Sequence, residues 1–524
     1  MCGIVGEICT KLERVDMAKR IRGLLAAIQH RGHESAGISI LMLNRRIKTK
    51  KAKGDVLEAI PSFWVVKRRG RAGLGQVRYS TTGTGTTQKE RKRSEKADPF
   101  LEDDEIIDPG LINSQPFYYD SENKGRISLV HNGNLTNAPI LRKELEKKGM
   151  KFETESDTEV IIRLICYYLR NPKLSLAQAI RKAMSKMKGA YSCILLSKNG
   201  LWAFRDPHGF RPLKIAQTKD SWIFASEPCA WHERETKPLK DRAHNVLSGE
   251  IVEVSIGNRE LKSYLPKKKA RRAFCIFEDV YLQAIFNLKV AQARFGFGEK
   301  LFLKFPLPGI VIPIMNSGEG AAMGYHFAQG KKFPSKAFYY PALYRNPKVG
   351  RTFLEPKQID RIAKNKRKYF NLFKVLAPII HELAKTEKEI WLIMIDDSLI
   401  RSNVSRTLIK VIRSILKKLY PKLYRRIKIA WLLSSPPYTH PCYFGIDTYE
   451  SEQLIAANKD LEGIRKAIGA DYLGYLPIKD MLEVAAKVHD LKTSDFCAAC
   501  FNGKYPVKID PKQDKMSLAA NGSA

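Results

Sequence analysis

The sequence predicts two domains of different class in series: an α+β layered domain, then an α/β domain built on a parallel sheet. Three observations predict this. A chain of 524 residues exceeds what a single core supports. Its first half alternates short apolar runs with Gly-rich turns, whereas its second half alternates near-continuous apolar runs with long amphipathic helices. The rhythm changes at the basic stretch PKKKARR (266–272). The expected layout is a first domain at 1–255, a linker at 256–273, a second domain at 274–506 and a tail at 507–524.

In the first half, AGISILML, GRAGLGQVRYSTTG, GRISLVHNGNL, GAYSCILLSKNGLWAFRDPHG, DSWIFASEP and GEIVEVSIG read as strands bounded by turn residues. VDMAKRIRGLLAAIQHRG and DTEVIIRLICYYLRN carry apolar residues at i, i+3, i+4 and i+7, the period of a helix with one buried face. Residues 84–112 are polar, charged in both signs and poor in periodicity, which marks a surface insertion. In the second half, GIVIPI (309–314), KAFYY (336–340), EIWLIMIDD (389–397) and KIAWLLSS (428–435) have the all-apolar character of strands covered on both faces. Helical segments such as SRTLIKVIRSILKKLY (405–420) between them give βαβ units and a parallel sheet.

Composition narrows the class. Apolar residues make up 44% and charged residues 28%, as in globular proteins. No run reaches the roughly 18 apolar residues that cross a bilayer, and no basic-then-apolar leader opens the chain. A cytoplasmic protein without a membrane partner is expected. The formal charge of +37 suits a polyanionic partner such as nucleic acid, but it suits a lysine-rich proteome or a phosphorylated substrate equally. Basic residues are spread along the chain, and neither zinc-finger spacing nor an aromatic and basic RNA-binding signature accompanies them. A nucleic-acid-binding function therefore has the charge and little else.

The chemistry begins at MCGIVG. Removal of the initiator methionine exposes Cys2, which carries a thiol nucleophile and an α-amino base on one carbon; such an amine titrates near pH 8. A glutaminase built on Cys2 must also hold the amino acid end of glutamine and stabilise an oxyanion. Arg78 in VRYST stands where a strand meets a turn and suits a bidentate clamp on an α-carboxylate. HNGN offers the side-chain amide of Asn132 and the backbone N–H of Gly133, the two donor kinds of an oxyanion hole. Asp157 in ESDTE can take the substrate ammonium. Each of these alone is also an ordinary turn or surface residue; their combination is what carries the reading.

Six motifs in order, CGIVG, RGHESAGI (31–38), VRYST, HNGNLTN, SDTEV and GAYSCILL with FRDPHGFRPL, resemble the glutaminase domain of the amidophosphoribosyltransferase family. The resemblance implies an N-terminal-nucleophile hydrolase fold, a four-layer αββα sandwich, with no propeptide ahead of Cys2. It implies Cys2 as nucleophile, Arg78 and Asp157 as glutamine clamp, and Asn132 with Gly133 as oxyanion hole. Two departures, Gln76 for the family's His and His33 for its Gln, are expected to leave that chemistry untouched.

The second half continues the likeness in CIFEDVY (275–281), VIPIMNSG (311–318), VGRTFLEP (349–356), IDDSLIRSNVS (395–405), SSPPYTHPCYFGID (434–447) and CAACFNGKYP (497–506), which resemble a type I phosphoribosyltransferase domain. There, paired acids at a strand end hold ribose hydroxyls, and the loop opening the next helix holds a 5′-phosphate. The resemblance implies that Asp396, Asp397, Ser398, Arg401, Ser402, Asn403 and Ser405 bind phosphoribosyl pyrophosphate, with Ser317, Asp396 and Asp397 around Mg2+. The family's Arg-Gly-Thr-Thr becomes Arg401-Ser402-Asn403-Val404 here, which removes a conformationally free glycine and two hydroxyls. Further departures fall at Asn316, at YRNPK (344–348) and at LQAIFN (282–287).

Nine cysteines in so long a chain make no disulfide framework. CAAC by itself is compatible with redox chemistry, metal binding or proximity. Cys229, Cys442, Cys497 and Cys500 resemble the four ligands of the family's iron-sulfur branch, which implies a [4Fe-4S] cluster clipping the two domains together. Cys9, Cys166 and Cys193 lie in apolar patterns and are expected to pack as small hydrophobes.

Two functions are open on this basis. In one, glutamine and phosphoribosyl pyrophosphate become 5-phosphoribosylamine, glutamate and pyrophosphate, the first step of de novo purine synthesis, in a homotetramer or dimer. In the other, the glutaminase works beside a degenerate second domain that acts as scaffold, sensor or ammonia-delivery module.

Overall fold

The computed structural model describes residues 2–11, 15–66, 68–79, 111–237, 244–258, 260–345, 369–371, 373–448 and 450–509. Of the expected insertion at 84–112, residues 84–110 lie outside the described residues, as do 346–348 of YRNPK, all of VGRTFLEP and most of the tail. The chain divides into two compact units. The first comprises Met1–Cys275, Cys442–Tyr449 and the described part of Tyr505–Ala524; the second comprises Ile276–Pro441 and Glu450–Lys504. The first unit thus takes up a short segment from deep within the span expected for the second domain.

Two six-stranded antiparallel sheets form the first unit. With β1 Gly3–Cys9, β2 Ser35–Met42, β3 Ile47–Lys53, β4 Gly70–Arg78, β5 Phe117–Ser121, β6 Gly125–Leu135, β7 Gly189–Ser197, β8 Gly200–Arg205, β9 Lys214–Gln217, β10 Ser221–Ala225, β11 Ile251–Ser255 and β12 Leu261–Tyr264, the orders are β3-β2-β4-β1-β10-β9 and β12-β11-β8-β7-β6-β5. Strand alternation assigns the faces. Along β1, Ile4 and Ile8 join Val130, Ile194, Leu196 and Leu201 of the other sheet, so the two sheets share one core. Val5 and Cys9 point the other way, into a core with Met17, Ile21, Leu24 and Leu25 of the helix Met17–Ala27. On the outer side of the second sheet, Ile127, Leu129, Cys193 and Leu195 pack with the helices Ala138–Glu146, Asp157–Leu169 and Leu176–Met184. The result is the αββα sandwich. Each fully buried Ile or Leu contributes about 1.5–3 kcal/mol relative to exposure. Gly6 marks how close the sheets approach, because a Cβ there would stand 2.8 Å from Ile194 Cγ2.

The second unit centres on a five-stranded parallel sheet in the order Ala337–Tyr339, Gly309–Pro313, Ile390–Asp396, Ile427–Leu433, Tyr472–Tyr475. Ile310, Ile312, Leu392, Met394, Ile429 and Trp431 are fully buried or nearly so within its core, which is why these strands read as unbroken apolar runs. In chain order the strands run 2-1-3-4-5. The order reverses between Gly309–Pro313 and Ile390–Asp396, and the crevice beyond the carboxyl ends of two such strands is where open α/β sheets bind ligands.

Candidate active site in each unit

Cys2 lies immediately before β1, which runs through the interior of its sheet between β4 and β10. Its residue is 7% exposed, and its Sγ lies 3.8 Å from the Tyr79 carbonyl oxygen at the end of β4. The motif RGHESAG positions this end of the chain. Arg31 donates from Nε to the Cys2 carbonyl at 3.2 Å, and its Nη1 pairs with the fully buried Glu227. Burial alone would raise the Glu227 carboxyl; Arg31 and His30 outweigh it and hold the group at about 2. Gly32 lies against the backbone of Arg78, where a Cβ would come within 2.5 Å, and Glu34 donates its N–H to the Arg78 carbonyl at 3.1 Å. Cys2 and Arg78 are therefore set by one turn.

Asn132 and Gly133 lie near the carboxyl end of β6. Asn132 is fully buried, yet among the described residues neither Oδ1 nor Nδ2 has a hydrogen-bond partner. An unsatisfied buried polar group costs about 1–3 kcal/mol, a cost that persists in a native fold where a ligand is meant to answer it. Gly133 adopts φ +155°, and a Cβ there would stand 2.0 Å from the Ala190 carbonyl, so only glycine fits. The strand is braced one residue earlier. Gln115 Oε1 accepts from His131 N at 2.6 Å, and Gln115 Nε2 and Gln76 Nε2 donate to His131 O at 3.2 and 3.1 Å. Gln76, one of the two departures from the family pattern, ties β4 of one sheet to β6 of the other. Since Gln76 is registered opposite Ile4, this link runs two residues from Cys2.

Asp157 occupies the first turn of the helix Asp157–Leu169, where the positive end of the helix dipole favours a carboxylate. Ser156 caps the helix by accepting from Thr158 N. One Asp157 oxygen accepts the Leu135 N–H at 3.0 Å at the end of β6, and the other lies 3.6 Å from His131 Nδ1. Arg78 donates to Ser114 Oγ at 3.4 Å and stands 3.8 Å from Glu34.

The segment Cys442–Tyr449 reaches this same turn. Asn134 Nδ2 donates to the Tyr443 carbonyl at 2.9 Å, Arg211 donates twice to the Phe444 carbonyl, and Phe444 stacks on Phe210. Gly445, at φ +106°, sits so close that a Cβ would lie 3.0 Å from the Gly133 carbonyl oxygen.

In the second unit, Asp396 ends its strand and Asp397 follows it, at the crevice defined above. Asp397 is buried, which pushes its carboxyl up, while hydrogen bonds from Ser317 and Ser398 and the charge of Arg294 oppose that rise. Ser317 follows the neighbouring strand Gly309–Pro313, so the fold brings Ser317 and Asp397 together across the switch point. Ser402 answers the question posed by the missing glycine: it keeps a left-handed conformation, φ +56° and ψ −7°, at the N-cap of the helix Asn403–Leu419. Ser405 Oγ donates to the Ser402 carbonyl at 3.0 Å. Asn403 opens the helix, and Ser398 and Arg401 lie in the short connection before it.

The four cysteines read as cluster ligands form no disulfide, Cys229 and Cys442 lying in the first unit and Cys497 and Cys500 in the second. Among the described residues, no three His, Cys, Asp or Glu side chains come together as a metal-holding group. Burial, reinforced by Glu227, pushes the Cys229 thiol up to about 12. Cys9, Cys166 and Cys193 are buried in apolar cores.

Sequence reasoning gave no role to Arg31, Glu227, Gln115 or Arg211. RGHESAG and FRDPHG pointed at the neighbourhood, but which atom each side chain reaches is decided by the packing of distant strands.

A glutamine amidotransferase domain model matches residues 105–233. Amidophosphoribosyltransferase from Methanothermobacter thermautotrophicus is 33% identical over 513 residues, covering 97% of this chain and 95% of that one. The Bacillus subtilis amidophosphoribosyltransferase is 31% identical over 490 residues, covering 93% and 90%. Among solved structures, the glutamine phosphoribosylpyrophosphate amidotransferase from B. subtilis complexed with ADP and GMP superposes with a TM-score of 0.75 at 29% identity, covering 97% of this chain and 98% of that one.

Proposed function

The chain belongs to the amidophosphoribosyltransferase family, and on that premise we propose how its residues divide the work. The enzyme converts glutamine and phosphoribosyl pyrophosphate to 5-phosphoribosylamine, glutamate and pyrophosphate, opening purine nucleotide synthesis. The single observation carrying the assignment of the first site is the orphaned, fully buried amide of Asn132.

With the initiator methionine removed, the α-amino group of Cys2 takes the proton of its own thiol, and the thiolate attacks the γ-amide carbon of glutamine. The oxyanion that forms is answered by Asn132 Nδ2 and the Gly133 N–H, while Arg78 and Asp157 hold the substrate's α-carboxylate and α-ammonium. Collapse breaks the C–N bond, the amine proton leaves with ammonia, and water then cleaves the γ-glutamyl thioester to glutamate. In the second unit ammonia attacks C1 of the ribose and pyrophosphate leaves with the bonding electrons. Asp396 and Asp397 hold the ribose hydroxyls, and the 401–405 loop with the N-terminus of its helix holds the 5′-phosphate. The left-handed Ser402 supports a working loop, since it preserves the backbone turn that a glycine would give.

Mg2+ fits the second site in kind, because it takes one or two carboxylates plus substrate phosphates, and Ser317, Asp396 and Asp397 supply oxygen ligands. When bound it neutralises charge on the departing pyrophosphate. A [4Fe-4S] cluster on Cys229, Cys442, Cys497 and Cys500 belongs to the same proposal, supported by an all-sulfur donor set that is not engaged in disulfides. The donor type fits the cluster, but the described residues do not gather as its ligands, so no step runs through it. Iron and acid-labile sulfide analysis of anaerobically purified protein tests it: about four of each per chain supports the cluster, and neither removes it. Within the proposal the enzyme works in the cytoplasm as a homotetramer or dimer; among the described residues no helix is long and apolar enough to cross a membrane. Pyrophosphate release with ammonia as donor tests the second site alone, and glutaminase activity without it would leave the second unit a non-catalytic module.

A further inference from the structure

Lys51 is a buried cation with no carboxylate in contact among the described residues. It lies on β3, registered opposite Gly37 of β2, and is 5% exposed. Its Nζ donates to the Ser114 carbonyl at 2.7 Å and stands 4.9 Å from the centre of the Phe117 ring. Burying an ammonium on a single neutral carbonyl is costly, so the contact calls for a reason. The dipeptide that it grips supplies one. Ser114 Oγ accepts from Arg78 Nη1, while the amide of Gln115 brackets the backbone N–H and C=O of His131, directly before Asn132. Beneath the dipeptide, Gly37 leaves room for the Gln115 carbonyl, which a Cβ would approach to 2.2 Å. One two-residue segment thus touches both the clamp residue and the oxyanion strand, and Lys51 fixes that segment by its backbone.

We propose that Lys51 is a positioning residue of the glutamine site, holding Ser114–Gln115 so that Arg78 and the Asn132–Gly133 turn keep their joint spacing. The inference rests on the glutaminase reading above. It carries its own pH signature. Burial, helped by the nearby Arg78 charge on β4 and opposed by Glu153 and Glu159, lowers the Lys51 ammonium to about 8. Below pH 8 the charged amine grips the carbonyl with a charge-assisted bond; above it the bond becomes an ordinary one.

Glutamine binding to full-length protein carrying Cys2→Ala, measured by calorimetry at pH 7 and pH 9, tests this. Using binding rather than turnover keeps the titration of the catalytic amine out of the readout, and comparing variants cancels the titration of glutamine itself. Adding Lys51→Met weakens binding about tenfold at pH 7 and about twofold at pH 9. Lys51→Arg, whose charge does not titrate in this range, binds within about threefold of the parent at pH 7 and loses less affinity than the parent by pH 9. Equal affinity of the methionine variant and the parent at pH 7, or the same ratio at both pH values, overturns the proposal. Should the methionine variant not fold, the arginine variant decides alone, and parallel pH dependence of parent and arginine variant is the overturning result. A parent that binds no glutamine at either pH brings down the glutaminase reading itself, and this inference with it.

Discussion

Arg31 holds Cys2 by its backbone: the guanidinium Nε donates to the Cys2 carbonyl at 3.2 Å, and the opposite edge of the same guanidinium is locked to buried Glu227. Cys2 is therefore held through an ion pair between residues almost 200 positions apart.

That pair predicts acid sensitivity. Glu227 is held at about 2 against an ordinary value of 4.5, so its stabilisation is fully present above pH 4.5 and is lost as pH falls towards 2. The full effect is on the order of 3 kcal/mol. Arg31→Met leaves the buried carboxylate without its guanidinium and with His30 still beside it, costs up to roughly 3–5 kcal/mol at pH 7, and shrinks this acid limb, because burial then works against a smaller opposing charge. Urea unfolding of both proteins between pH 3 and 7 checks both statements.

Asn132→Ala removes the proposed oxyanion donor without stranding a partner, since the amide has none among the described residues. Glutamine-dependent kcat falls about 10²–10³-fold, and the folded protein is no less stable. Steady-state glutaminase assays with thermal unfolding of the same samples measure both. A loss of stability comparable to the loss of rate would make Asn132 a structural residue.

Ser402 has φ +56°, where a residue with a Cβ is disfavoured by roughly 1–2 kcal/mol. Ser402→Gly therefore raises stability by up to about 1 kcal/mol once glycine's larger unfolded-state entropy is deducted, and leaves the 5′-phosphate loop in place. Ser402→Val, β-branched, is destabilising and weakens phosphoribosyl pyrophosphate binding. Chemical denaturation and substrate titration read the two effects separately.

Much of the architecture was legible because burial writes itself as periodicity. Ile4 and Ile8 alternating with Val5 and Cys9 announce a strand covered on both faces, and the unbroken IWLIMID announces a parallel strand ending at Asp396. The special backbone of Gly133 was legible in HNGN for a related reason: no other residue fits there. Lys51 and Ser114–Gln115 were not, because their importance lies in what they touch across strands, and a lysine in IKTKKAK reads as an exposed edge. Nor did the sequence reveal that Cys442–Tyr449 leaves its chain neighbours to join the first unit. Its carbonyls find their donors in Asn134 and Arg211, more than two hundred residues away.

The measurement that bears most directly on the central claim is pyrophosphate release from phosphoribosyl pyrophosphate, with glutamine and with ammonia as donor, in the wild-type protein and in Cys2→Ala. The wild type releases pyrophosphate with either donor, and Cys2→Ala loses the glutamine-dependent rate by about 10³-fold or more while keeping the ammonia-dependent one. Glutamine-dependent release that survives in Cys2→Ala, or a wild type that releases none with either donor, would contradict the account.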